Sequence, residues 1–349
     1  MFLGTSIMNT VQKYGLNLSS ISVPLIAIVH ALTLYTISRF ILLPVFDIDG
    51  DSVEGRATNV CCAFGNAGVV PLIFVEALFR NSDSDILQKA FSIVSMYLLG
   101  WSPLFWSFGR NALLGGQSQI EMSMAETETS KGDDVNNMII PSWRERISYF
   151  TSLFPPPVVG VCFGLLASLP FLNSLIMRSI DTPDNKAPFQ VVFNCCQNLG
   201  RAANPVALLV LTSSLALGNV KRQASQVQEV EQELELEQGE FEIPLLKRWS
   251  CVSIARFIVS PLLMVTLLQS LYKVGLIGPM DGSDAMLWFI LILEASMPCA
   301  QNTVLMLQVA EKPVEASRLA RFLFTIYATA MVPVVLVSTI LLERCNFTV

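Results

Sequence analysis

The sequence predicts an all-α polytopic membrane protein, and three observations carry that prediction. Only 14% of the residues are charged while 52% are hydrophobic, against roughly 25% charged in a soluble domain. Mean hydropathy is +0.55. Apolar stretches close to the ~20 residues that a bilayer requires recur along the whole chain. A backbone in lipid must satisfy its own hydrogen bonds, so each such stretch is expected to be a helix.

Eight spans are expected, at about 21–43, 57–79, 86–108, 151–171, 188–217, 249–273, 285–310 and 317–342. Two polar segments interrupt them. The first, 109–147, contains GGQSQ and SKGDDVNN and reads as a flexible linker. The second, 219–248, holds seven glutamates between 229 and 242 (EVEQELELEQGEFE) and reads as a solvated, partly helical loop. That loop supplies much of the formal net charge of -6, so the charge does not point to a nucleic-acid partner. An even number of spans puts both termini on one side. If that side is outside, cytosolic segments receive the greater share of Lys and Arg, among them Arg39, Arg56, Arg110, Lys247, Arg248 and Lys312.

Enzyme chemistry finds little footing. HExxH, GxSxG and GxGD patterns are absent from the sequence, and the single histidine, His30, lies in an apolar stretch and reads as a packing residue. Eight cysteines form no CxxC pair and no Cys/His cluster. They read as small packing residues, and no cofactor or metal is expected.

The second and seventh spans are unusual. The second carries FGNAGVVP, with Gly65, Asn66, Gly68 and Pro71; the seventh carries Glu294, Pro298, Gln301 and Asn302 in EASMPCAQN. Proline removes a backbone donor and clashes with the preceding turn, and glycine lowers the cost of unwinding. A simple proline kink accounts for one such span. Two of them, each the middle member of a three-helix set (spans one to three and six to eight), point instead to a site. Discontinuous helices in transporters aim half-helix N-termini, each worth roughly half a positive charge, at an anion near mid-membrane. An odd number of helices per copy inverts the second copy relative to the first. Spans four and five then precede the second set as its companion pair, and no matching pair precedes the first set.

These stretches resemble the auxin efflux carrier superfamily, and within it the PIN-likes (PILS) branch. The resemblance rests on FGNAGVVPL (64–72), LFPPPVVGVCFGLLASLPFLNSLI (153–176), LGRAANPVALLVLTSSLALG (199–218), ARFIVSPLL (255–263) and EASMPCAQNTVLMLQVA (294–310), in that order. It implies inverted five-helix repeats with two broken crossing helices, about 8 of 10 helices being present here. Either the reading frame begins late or this copy lacks part of a scaffold. The expected organisation is an incomplete first repeat of three helices over 1–108, a cytosolic linker over 109–147 and a second, five-helix repeat over 148–349. By position the crossing falls at Gly65, Asn66, Gly68 and Pro71 and at Pro298, Gln301 and Asn302. The resemblance further implies transport of a small organic anion, an auxin-like carboxylate, by an elevator-type motion. It places the protein in the lipid bilayer, in the endoplasmic-reticulum membrane rather than the plasma membrane; a homodimer is a further expected partnership. Two departures stand out: Val69 where the family often has a second asparagine, and Arg201 where it often has an acid.

Charges at bilayer depth cost on the order of 3 kcal/mol each and usually face a cavity or a partner. Glu294, one turn before the second break, is a candidate proton carrier or a salt-bridge partner of Arg201 or Arg256. Arg201 is a candidate attractor of the anion. Two other readings stay open: a non-transporting membrane receptor or scaffold derived from a carrier, and a sodium-coupled organic-anion symporter of similar fold.

Overall fold

The structure is a computed structural model describing residues 18–80, 84–115, 243–310 and 312–347, with single positions at 166, 189, 191 and 195. Spans one to three and six to eight therefore lie within the described residues. Spans four and five, the polar linker, most of the acidic loop and Arg201 lie outside them.

Eight helices build the described part, which is all-α. Helix α1 runs over Leu18–Ile37, passes through a π-helical turn at Ser38–Leu42 and ends at Leu43–Val45. The second span is divided into α2 (Val53–Ala63) and α3 (Val69–Phe79). Helix α4 covers Ser84–Leu104, a π turn at Phe105–Gly109 and Arg110–Leu114. Helix α5 covers Leu245–Ile254, a π turn at Ala255–Val259 and Ser260–Lys273. The seventh span is divided into α6 (Ala285–Ala295) and α7 (Asn302–Val309), and α8 is unbroken over Pro313–Arg344. Helices α1, α4, α5 and α8 are each long and apolar enough to cross a membrane, whereas the apolar halves α3 and α6 are too short to do so alone. The chain is thus a polytopic membrane protein.

Several boundaries lie a few residues outside the sequence expectation, and two of them have clear local reasons. Helix α4 continues to Leu114 because its stop signal is Gly115, which adopts the left-handed conformation at φ 72. Helix α8 begins at Pro313, where the missing N–H belongs to a first-turn position that has no helical partner in any case.

Each π turn has a proline beside it. In α1 the segment Ser38–Leu42 precedes Pro44, in α5 the segment Ala255–Val259 precedes Pro261, and in α4 Pro103 precedes Phe105–Gly109. In α1 and α5, where the proline follows the turn, it cannot donate to the carbonyl four residues back and its ring crowds that carbonyl, so a locally wider turn relieves the clash. The first two share one pattern, Arg-Phe-Ile-x-x-Pro, at 39–44 and 256–261. The same hexapeptide pattern produces the same turn twice, at different depths in its helix.

Packing follows the small residues. Helix α1 lies along α4, where Gly100 meets the Pro24 backbone so closely that a Cβ would come within 2.1 Å of its carbonyl oxygen. Small residues permit such backbone approach between membrane helices. Helix α6 is buried along its full length, flanked by α4, α5 and α8. Several hydroxyls inside the helices bond back one turn, as Ser95 does to Phe91 O and Ser338 to Val334 O. The starts of α2, α5 and α8 and the end of α1 share one end of the molecule. There Arg39 pairs with Asp51, Lys247 with Asp47 and Arg248 with Glu54. At the opposite end Phe79, Phe289 and Phe347 pack edge to face around one another.

Replacing Gly100 with alanine is expected to push α1 off α4 and destabilise the protein by about 2 kcal/mol, the usual cost of overpacking. Thermal unfolding in detergent, followed by tryptophan fluorescence, should show a midpoint several degrees below wild type.

Candidate substrate site at the crossing of two broken helices

Both anomalous spans are interrupted outright rather than kinked. Residues 64–68 and 296–301 leave the helical ladder, and the two segments meet in an antiparallel bridge between Gly65 and Cys299. The Asn66 N–H donates to Pro298 O at 2.6 Å, and the Ala300 N–H donates to Phe64 O at 2.9 Å. Each break therefore satisfies part of the other's backbone, and the two chains run in opposite directions through the contact. Pro71 is not a kink residue. It occupies the first turn of α3, after Gly68 at the cap, where a missing N–H breaks no helical bond.

Breaking a helix at bilayer depth strands carbonyls at the end of its first half. Arg256 collects them. Its Nε donates to Met297 O at 2.9 Å, its Nη2 to Ala295 O at 3.1 Å and its Nη1 to Cys62 O at a longer 3.5 Å. Arg256 is 1% exposed, so its cation lies against the negative C-terminal ends of both α2 and α6. The guanidinium fits because residue 65 is glycine: a Cβ there would sit 2.0 Å from Nη2. A second chain of bonds reaches the same carbonyl. The Ser260 hydroxyl donates to Ala295 O at 2.6 Å, and the His30 Nε2–H donates to Ser260 O at 3.2 Å. His30 is a partnered packing residue of α1, 2% exposed.

The amide of Asn66 points across the crossing. Its Nδ2 donates to the Tyr327 hydroxyl at 2.6 Å, and that hydroxyl donates to Cys299 O at 2.8 Å. Tyr327 comes from α8, so the third helix of the second set closes over the bridge. Phe64, fully buried, is walled in by Trp101 and Phe105 of α4.

The structure brings Gly65, Asn66, Gly68 and Pro71 together with Pro298, Gln301 and Asn302. Gln301 caps α7 and is buried, and Asn302 opens that helix. Glu294 is 1% exposed, and neither carboxylate oxygen has a hydrogen-bond partner among the described residues. The expected alternative of an ion pair between Glu294 and Arg256 does not form, because the guanidinium is spent on backbone carbonyls. Glu76, which also follows the first break, is exposed on α3 among the described residues. Two residues escaped the sequence reading as site components. Arg256 was legible only as a charge within a span, and its partners are backbone atoms that no side-chain pattern announces. Tyr327 is a lone phenol in the apolar stretch FLFTIYATAMV, and a polar tip at that depth calls for a partner.

An all-α membrane protein whose two discontinuous helices cross and share backbone bonds belongs to the class of membrane transport proteins built around such crossings. The chain belongs to the family described as Membrane transport protein, which it matches over residues 3–338. It is similar to Protein PIN-LIKES 4 of Arabidopsis thaliana, 24% identical over 289 residues, which cover 69% of this chain and 64% of that protein. The chain thus spans less than two thirds of that relative's length. No solved structure matches it.

Replacing Arg256 with lysine keeps the charge but cannot reach three carbonyls at once. Stranding buried carbonyls at this depth is expected to cost about 3 kcal/mol. The measurement is the unfolding midpoint in detergent, which should fall further for R256K than for G100A. An R256K midpoint equal to wild type would remove Arg256 from its organising role.

Proposed function

We propose that the protein is a secondary transporter that moves a small organic anion, an auxin-like carboxylate, across a membrane by alternating access. The observation that carries the reading is the Gly65–Cys299 bridge. It sets the first turns of α3 and α7 at one crossing, where their N-termini present about half a positive charge each. Both C-terminal ends at the crossing are already neutralised by Arg256. What remains for a ligand is an excess of donors: the backbone N–H groups of Val69 and Val70, the amides of Asn66 and Gln301, and the start of α7 at Asn302. Pro71 supplies none. In a low-dielectric site such a set holds a carboxylate without a full cation.

The six described spans, α1 to α8, act as the moving body in this reading. Spans four and five act as the scaffold, and a pair of chains is the natural assembly. The end bearing Arg39, Arg56, Lys247, Arg248 and Lys312 faces the cytosol, because positive residues are retained there. The family resemblance supports the endoplasmic-reticulum membrane as location. Glu294 serves as the coupling group, since a buried carboxylate with no partner among the described residues has a free site for a proton. Arg201 attracts the anion from the side of the scaffold.

The test is uptake of radiolabelled indole-3-acetate into proteoliposomes containing the full chain, with and without an imposed pH gradient, against protein-free vesicles. Saturable, protein-dependent accumulation is expected; folded protein that accumulates no tested anion overturns the reading. N66A, which removes the side-chain donor at the first break, is expected to raise KM about tenfold, the effect of losing a hydrogen bond to a charged group. E294Q should remove the dependence of uptake on the pH gradient while uptake itself persists. An unchanged gradient dependence in E294Q would discard Glu294 as the coupling group.

A further inference from the structure

The hydrogen-bond polarity at the crossing points to a role for Tyr327 that the transport reading does not contain. Its hydroxyl has one proton, and that proton goes to Cys299 O at 2.8 Å. The oxygen therefore meets the Asn66 amide as an acceptor, at 2.6 Å. One of the two N–H groups of the Asn66 side-chain amide is thus occupied, within the protein, by an uncharged oxygen of similar size. Asn66 is 6% exposed and its own backbone N–H is committed to Pro298 O, so only its side-chain amide is left to meet a ligand, in exchange for the phenol. Tyr327 stands on α8, an element outside both breaks, and it is less fully enclosed than Asn66.

From this geometry we propose that Tyr327 is a specificity-determining residue that acts as an internal stand-in for the anion, holding the Asn66 amide until a carboxylate oxygen replaces the phenol. The inference rests on the transport reading. A carboxylate accepts from Asn66 as the phenol does, and its charge makes that bond the stronger of the two, since hydrogen bonds to ionised groups are worth roughly twice neutral ones. A neutral acceptor such as an amide or an ester gains nothing over the phenol and is not exchanged for it. Tyr327 thus sets a threshold that ionised ligands clear and neutral ones do not. The phenol also bonds Cys299 O, so Tyr327 links both breaks to α8.

The proposal separates from a merely structural role by sign. Y327F and N66A break the same hydrogen bond from opposite sides. If the bond only braces the crossing, both variants change uptake in the same direction. If Tyr327 is a stand-in, Y327F frees the amide and lowers KM for indole-3-acetate about fivefold, the equivalent of one ordinary hydrogen bond. N66A raises KM, and the double variant N66A/Y327F shows no gain over N66A. Y327F should also admit indole-3-acetamide, the neutral isostere, as a competitor that wild type ignores. Site-specific 3-fluorotyrosine at 327, nearly isosteric and a weaker acceptor, keeps the measurement available if Y327F does not fold; it should shift KM in the same direction by a smaller factor. An unchanged or raised KM in Y327F or the fluorotyrosine protein, or a gain that survives in the N66A background, overturns the proposal. Saturable wild-type uptake with such results leaves the transport reading standing. Absence of wild-type uptake instead defeats the transport reading itself, and the inference with it.

Discussion

The crossing depends on one cation held by backbone oxygens. Two membrane helices stop in mid-span, and each stop strands carbonyls where neither water nor lipid can pair them. Arg256 answers both stops at once through Ala295 O, Met297 O and Cys62 O. Much of the local sequence reads as provision for that arrangement. Gly65 leaves the space that a Cβ would take from the guanidinium. Arg256 sits in the π turn over Ala255–Val259 that Pro261 imposes on α5. Ser260, next along, and His30 behind it complete the pairing of Ala295 O. An arginine suits this post better than a lysine because a planar fork of donors reaches several acceptors in fixed directions.

That arrangement also divides the crossing electrostatically. The first halves, α2 and α6, end in partial negative charge, and Arg256 cancels it. The second halves, α3 and α7, begin in partial positive charge, and no described carboxylate pairs with it. Two helices broken in this way keep donors at the crossing while Arg256 occupies the freed carbonyls, which is the physical basis of the proposal that an anion binds there. Arg256, 1% exposed and bonded to three backbone carbonyls, serves the fold. Glu294 is buried nearby, with both carboxylate oxygens without a hydrogen-bond partner among the described residues.

Legibility varied by type of interaction. The spans were readable because lipid demands a length of apolar helix, and the two breaks were readable because Gly65, Gly68, Pro71 and Pro298 act through their own backbones. The placement of each break as the middle helix of three predicted that the two belong together, and the Gly65–Cys299 bridge joins them. The repeated Arg-Phe-Ile-x-x-Pro pattern at 39–44 and 256–261 was equally present in the sequence, yet its meaning is local. It yields a π turn in both places, while Arg39 ends in an exposed pair with Asp51 and Arg256 in the core. Of the two salt-bridge partners that charge suggested for Glu294, Arg256 turns its donors to backbone carbonyls instead, and Arg201 lies outside the described residues.

The sequence by itself determined the class: an all-α membrane protein with two discontinuous helices in matched positions, rich in small residues where backbones approach. It also determined which segments break, because proline and glycine act on their own dihedral angles and need no partner. Only the tertiary structure decided what each break touches. That Asn66 bonds a phenol from α8, that Arg256 serves carbonyls rather than Glu294, and that Gly65 is small for a guanidinium's sake all depend on residues far apart in the chain. Side-chain to backbone contacts of that kind leave no periodicity or charge pattern to read, because every residue offers the same carbonyl, and only the packed helices select which ones are left without a partner.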